Sequence, residues 1–271
     1  ILDDRTMRRN GTITFGSYTY IESEWIEFDQ DNVANLGSHN TNPNAPLVSD
    51  ITVSPDFITS ADEITVSATI TPVVGSIASA TIYYGAPGSL INTAVMWKET
   101  GDTWMGNIPP QTGNSIIEFY IYCKDDQTPA NSGKSATQTL IIANSTPETI
   151  ANIHTNIETL NGKMVTIRGI VTIGAGVLAN DYTSAYIQDT SGRGLNLYKS
   201  GKLYSDITRG DELMVVGYVE KFFTTIEVTN FIYKKISSGN ELPPAQVVTV
   251  AGANSSDWEG TLIEFSGMVT K

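Results

Sequence analysis

Apolar and polar residues alternate with period two along most of this chain, the spacing of strands that bury one face. Within residues 47–143 the alternation picks out Ser60–Ile70, Ser79–Tyr84, Thr93–Trp97, Thr103–Pro110, Ser115–Cys123 and Ala136–Ile142. Turn residues such as Gly85–Gly88 separate them, and short strands at this spacing predict a β-sandwich. Within residues 144–240 the predicted strands are Lys163–Ile173, Ser184–Asp189, Leu195–Tyr198, Asp211–Glu220 and Thr224–Tyr233. Gly169 interrupts the first of these and Gly217 the fourth, as bends in a small closed barrel require. Thr149–Leu160 reads as a short helix or an extended lead-in. Residues 1–40 carry only strand fragments, at Ile13–Phe15, Tyr18–Ile21 and Glu24–Phe28, and Thr41–Pro46 reads as a linker. Extended helical periodicity is missing, so the predicted fold class is all-β.

One segment occurs twice. Gly162–Thr172 returns 98 residues later as Gly260–Thr270, with the glycines, the apolar beat and the closing Val-Thr in register. A period of that length marks a whole domain, not a solenoid unit. The expected organisation is a partial domain at 1–40, a sandwich at 47–143, a complete barrel at 144–240 and the start of a second at 241–271. On this reading the 271 residues are a piece of a longer protein.

The formal charge of −13 is unevenly spread. Residues 1–145 hold 6 Lys+Arg and 16 Asp+Glu, residues 146–236 hold 9 and 9, and residues 237–271 hold 1 and 4. An acidic chain with a neutral barrel repels phosphate backbones at long range, which disfavours strong autonomous nucleic-acid binding. No apolar run reaches the ~18–20 residues of a membrane span, so no membrane insertion is expected. The single cysteine, Cys123, lies on an alternating strand and reads as a core residue. Both histidines, His39 and His154, fall in segments at domain edges, and no metalloprotease, P-loop, nucleophile-elbow or paired-cysteine motif occurs. No enzyme activity is expected within the chain.

Two sets of residues are candidates for binding. The acid pairs Asp3–Asp4, Asp29/Asp31 and Asp125–Asp126 offer hard oxygen ligands to calcium, with Asp125 and Asp126 the best placed. Surface acid pairs are more commonly just solvated. On the barrel, Tyr186, Tyr198, Phe222 and Phe223 with Arg193, Lys199, Lys202 and Lys221 are the aromatic and basic residues that single-stranded nucleic acid would use. The competing reading makes Tyr186 and Tyr198 core or rim and Phe222–Phe223 a cap on the barrel mouth, and the neutral charge favours it.

Three resemblances rest on motifs. Met7–Asn10, Glu24–Trp25 and Asn35–His39 resemble the end of a bacterial lamin-tail-like domain, departing at Phe28–Asp29 where Tyr-Pro is common. Met96, Gly101, Trp104, Gly106, Ile108 and Pro109, followed by Glu118–Asp125, resemble a bacterial fibronectin-III-like domain. Gly162–Thr172, Ala185–Tyr198 and Arg209–Val219 resemble the OB-fold modules attached to bacterial extracellular nucleases and surface proteins. Together they imply an Ig/fibronectin-like sandwich followed by an OB-like five-stranded barrel, with partial β domains at both ends. They also imply a non-catalytic structural or accessory region of a large secreted or cell-surface bacterial protein, which positions domains or mediates adhesion or assembly. Its expected partners are other domains of the same polypeptide and surface or filament proteins. One alternative is a nucleic-acid-guiding accessory region of an extracellular nuclease whose catalytic domain lies elsewhere. The other is a subunit of an extracellular filament or surface layer.

Overall fold

The structure, a computed structural model, describes residues 6–9, 19–28 and 42–268. The acid pairs Asp3–Asp4 and Asp29/Asp31, the fragment Ile13–Phe15 and the Asn35–His39 motif lie outside the described residues. The fold is all-β, and the chain divides into two compact units. One holds most of residues 1–141 and the other most of residues 142–271.

In the first unit, β1 (Thr6–Arg9) and β2 (Trp25–Phe28) form an antiparallel pair. Arg8 lies over the Phe28 ring, and Arg9 reaches Glu24 at 2.6 Å. The sandwich follows, with β3 (Leu47–Ser54), β4 (Ile58–Thr59), β5 (Ile64–Thr71), β6 (Ile77–Ala86) and β7 (Ser89–Val95). It continues with β8 (Trp97–Thr100), β9 (Thr103–Ile108), β10 (Ser115–Asp125), β11 (Ser132–Lys134) and β12 (Gln138–Ala143). One sheet has the order β3-β5-β9-β8, the other β4-β12-β10-β6-β7 with β11 on β10. The alternation has its expected cause. Ile64, Val66, Ala68 and Ile70 of β5 are all buried, as are Ile82 of β6 and Phe119, Ile121 and Cys123 of β10. Each large apolar side chain so removed from water contributes roughly 1.5–3 kcal/mol. The segment Thr93–Trp97, expected as one strand, divides at buried Met96 into β7 and β8, which belong to different sheets. β8 is exposed at every position, so it carries no alternation to read.

In the second unit, five strands close a barrel: β13 (Met164–Ile173), β14 (Thr183–Gln188), β15 (Gly194–Lys199), β16 (Glu212–Phe222) and β17 (Thr225–Ser237). The order around it is β13-β14-β15-β17-β16, with β15–β17 the parallel contact. β13 serves two neighbours, pairing with β16 from Met164 to Ile170 and with β14 from Ile170 to Ile173. Gly169 and Gly217 allow the close approaches this closure needs. A Cβ on Gly169 would sit 2.6 Å from the Gln188 carbonyl, and one on Gly217 2.7 Å from that of Thr229. At Gly217 the β16–β17 register also slips. The segment before the barrel forms α1 (Ile150–Thr155) and α2 (Ile157–Leu160). The Thr149 side chain accepts from the Asn152 amide and caps α1, and Ile150 and Ile153 join the barrel core with Ile167, Ile187, Leu197, Val215 and Phe231.

The sequence echo has a local structural counterpart. β18 (Gln246–Val247) pairs in parallel with β19 (Ile263–Glu264), much as Glu148 bridges in parallel to Ile167 in β13. Gly162 and Gly260, equivalent in the repeat, both adopt left-handed backbone, at φ 75° and 72°. That conformation is one glycine reaches without steric cost.

Candidate functional site

The aromatic and basic candidates spread over several parts of the barrel. Tyr186 on β14 and Tyr198 on β15 are both half-buried on the outer face of neighbouring strands. Tyr182, which the sequence reading did not single out, packs against Tyr198 with ring centroids 5.6 Å apart. Lys199 lies at the end of β15 and donates to Asn230 Oδ1 at 3.3 Å. Lys202 lies beyond it, its ammonium 4.7 Å from the Tyr204 ring centroid. Phe222 and Phe223 stand at the tip of the β16–β17 hairpin, 54% and 84% exposed, packed edge to face. Lys221 beside them pairs with Glu158 at 2.7 Å.

Arg193, a candidate contact for nucleic acid, is engaged within the protein. It donates through Nη2 to His154 Nδ1 at 2.9 Å, and its guanidinium carbon lies 5.9 Å from the Trp258 ring. His154 Nε2 meets the Gly194 carbonyl at 2.8 Å. A carbonyl only accepts and a guanidinium only donates, so this geometry demands a neutral imidazole protonated at Nε2. Burial, and secondarily the Arg193 charge, lower the His154 pKa in keeping with that state.

Acidic side chains share the outer face. Glu227 on β17 is the register partner of Asn196, which is in turn the partner of Tyr186. Burial, then the charges of Glu220 and Glu259, raise the Glu227 pKa. Burial also raises that of Glu259, and burial followed by the Glu259 charge raises that of the Tyr186 phenol. A phosphate chain crossing this face would meet carboxylates between its aromatics. These acids were not legible in the sequence, because only the parallel β15–β17 register brings Glu227 beside Asn196.

Residues 241–264 clasp the loop that joins β14 to β15. Gln188, fully buried, accepts from the Leu262 amide at 2.8 Å and donates to the Pro244 carbonyl at 3.4 Å. The Gly194 amide donates to Thr261 Oγ1 at 3.2 Å, and the Ile226 amide donates to Glu259 Oε2 at 3.2 Å. Beside the clasp lies a cleft of about 620 Å³. Its wall carries Glu148, Asp189, Glu212 and Glu241 together with Arg168, and Arg168 is already paired with Glu212 at 2.9 Å.

The calcium candidates build turns. Asp125 Oδ1 accepts from the amides of Gln127 and Asn131, and its Oδ2 from Asn131 Nδ2. Asp126 Oδ1 accepts from the Ser76 amide and Gln127 Nε2, and its Oδ2 from Ser76 Oγ. The Ser76 bonds lower the Asp126 pKa to about 2. All four oxygens thus hold donors that an arriving cation would have to displace, and the calcium expectation gains no support. Among the described residues no group of three or more His, Cys, Asp or Glu side chains is placed to hold a metal. Cys123 is buried near the Gly133 carbonyl, and burial pushes its pKa up to about 11. Asp211 of the Arg209–Asp211 segment is buried as well. It accepts from the Thr208 amide and hydroxyl and pairs with Lys235 at 2.8 Å. No helix among the described residues is long and apolar enough to cross a membrane.

No protein-family model matches the chain, and no curated protein matches it. Among solved structures, the chain is similar to an uncharacterized protein of Listeria monocytogenes EGD-e, lmo2446, whose crystals held α-D-glucose, β-D-glucose, magnesium and calcium. That likeness has 13% identity and a TM-score of 0.31, and it covers 70% of this chain but 17% of the other. At that level it carries no argument about fold or function.

Proposed function

We propose that this chain is a non-catalytic structural region of a secreted or cell-surface bacterial protein. In this reading a fibronectin-like sandwich and an OB-like barrel lie in series, and their task is to hold neighbouring modules in place. The observation that carries it is the clasp. Four hydrogen bonds from Gln188, Gly194 and Ile226 tie residues 244–262 to the barrel. They meet the loop between β14 and β15 and the start of β17, so the surface that a ligand-binding barrel would leave open is partly used to fix the chain that follows. The alternation of strands and the barrel order, first-second-third-fifth-fourth, support the module identities. The extracellular location is part of the same reading and rests on the motif resemblances alone.

The nuclease-accessory alternative asks the outer face to accept phosphates. Glu227 and Glu259 flank Tyr186 there, while Arg193 and Lys221 are engaged by His154 and Glu158. Titration of a fluorescent single-stranded oligonucleotide at low salt, where phosphate attraction is strongest, tests both readings. The structural reading expects no change in anisotropy. Salt-sensitive binding that is lost in Lys199→Ala or Tyr198→Ala would replace it with the nucleic-acid reading.

A further inference from the structure

Each sheet of the sandwich has an edge strand at either end of its order. β7 ends the order of the larger sheet and β8 that of the smaller, and the two are consecutive in the chain. Among the described residues no strand pairs with the outer edge of β7. Leu90 and Ala94 are half-buried, while Ile91, Asn92, Thr93 and Val95 are exposed. Ile91 is 82% exposed and Val95 79%, and Trp97 just beyond is 44% exposed. Edge strands are ordinarily protected by charge, proline or a bulge on the free edge. Ser89–Val95 contains no charged residue and no proline. It sits within residues 1–145, whose 6 cations and 16 anions leave them at −10.

We infer that β7 is a docking edge for an uncharged extended strand, and that the strand it takes is β7 of a second copy of the chain. Two observations select this occupant. A charged edge would meet its own like charge in a second copy, whereas two neutral edges meet without that local repulsion. The strand is also self-complementary. Antiparallel pairing about Thr93 sets Ile91 of one copy opposite Val95 of the other at both ends, and Thr93 opposite itself, giving a closed two-fold contact. The larger sheet then continues through the contact from one copy into the next. The dimer does not depend on the structural role proposed above.

A contact confined to one short strand edge is small, so the dimer is weak and concentration-dependent. Sedimentation velocity from micromolar to near-millimolar chain should show a concentration-dependent dimer. Ile91→Lys, at an exposed position that leaves the fold intact by circular dichroism, should abolish it, whereas Phe223→Lys on the barrel should not. The register is tested by cross-linking. Under mild oxidation Thr93→Cys should form an intermolecular disulfide, its Cβ atoms lying about 5 Å apart across the pair. Ile91→Cys should not, because its two copies are separated by about four residues of strand, roughly 13 Å. Buried Cys123 contributes nothing to either result. A chain that stays monomeric throughout overturns the inference, and so does Ile91→Cys cross-linking as readily as Thr93→Cys.

Discussion

The clasp between the barrel and the chain that follows depends on a position that tolerates no side chain. Gly194 begins β15 and lies against the backbone of Gly260. A Cβ placed on it would stand 2.3 Å from the Gly260 carbonyl oxygen, and ordinary contact begins at 3.4 Å, a shortfall of about 1.1 Å. The same Cβ would approach the Ile187 carbonyl to 3.0 Å, but that neighbour belongs to the barrel ladder and can give only slightly. Segment 241–264 is therefore the part that moves. Its displacement breaks the bonds from Gly194 to Thr261 and from Leu262 to Gln188. At about 1 kcal/mol each, Gly194→Ala weakens the clasp by about 2 kcal/mol. That corresponds to exchange of the Leu262 amide about 30-fold faster under native conditions, while amides in the centre of β16 keep their protection. Thr261→Val removes a single hydroxyl without any collision, and its expected acceleration is about fivefold, for ~1 kcal/mol. Hydrogen exchange read by mass spectrometry or NMR distinguishes the two variants. Leu262 protection within about twofold of wild type in Gly194→Ala would refute both the clasp and the role given to it.

Four further outcomes follow from other parts of the barrel and sandwich. Gly217→Ala forces a Cβ to within 2.8 Å of Phe231 Cβ and Val228 Cγ1; overpacking of this kind costs about 1–3 kcal/mol, read as a lower urea midpoint with unchanged slope. Asp211→Asn should destabilise the barrel by about 1–3 kcal/mol, because Lys235 and Thr208 lose their charged acceptor. Burial works against the Asp211 carboxylate, but the bonds from Lys235, Ser238 and Thr208 prevail and lower its pKa to about 2. The stability it gives is therefore present above the ordinary carboxylate range near ~4 and is lost as pH falls toward about 2; urea titrations at stepped pH should show that acid loss in wild type and less of it in the variant. His154 works in the same direction at milder pH: its lowered pKa means the folded state binds fewer protons, so its contribution holds above ~6.5 and declines below it. Proteolysis of the 237–246 connection should accelerate in mild acid, and His154→Gln should flatten that dependence. Cys123 should resist thiol reagents at neutral pH until denaturant is added, and immediate labelling of the folded chain would contradict its burial.

The sequence carried the local part of this protein. Alternation at Ile64–Ile70 and Phe119–Cys123 marked strands with one buried face, because a pleat of period two writes its burial directly into neighbouring residues. The glycines Gly169 and Gly217 marked where strands must approach closely to close the barrel, and the 98-residue echo marked equivalent lead-ins that end in left-handed glycines. Strands without alternation were not legible. β8 is exposed throughout and β4 is two residues long, so neither has a pattern to recognise.

The surroundings of several candidate binding residues come from contacts that no local pattern announces. Arg193 donates to His154, 39 positions away. Beside Tyr186, β17 and the following segment bring Glu227 and Glu259. At the Asp125–Asp126 pair, Ser76 and Asn131 donate to the carboxylate oxygens. Even the open edge at β7 is defined by which strand, among the described residues, has no partner on its outer side. Alternation, glycine and turn residues act between neighbours along the chain, so the sequence alone marked most of the strands. Charge pairing, burial of polar groups and edge exposure act through space, so only the tertiary structure decided which polar groups already have partners within the protein.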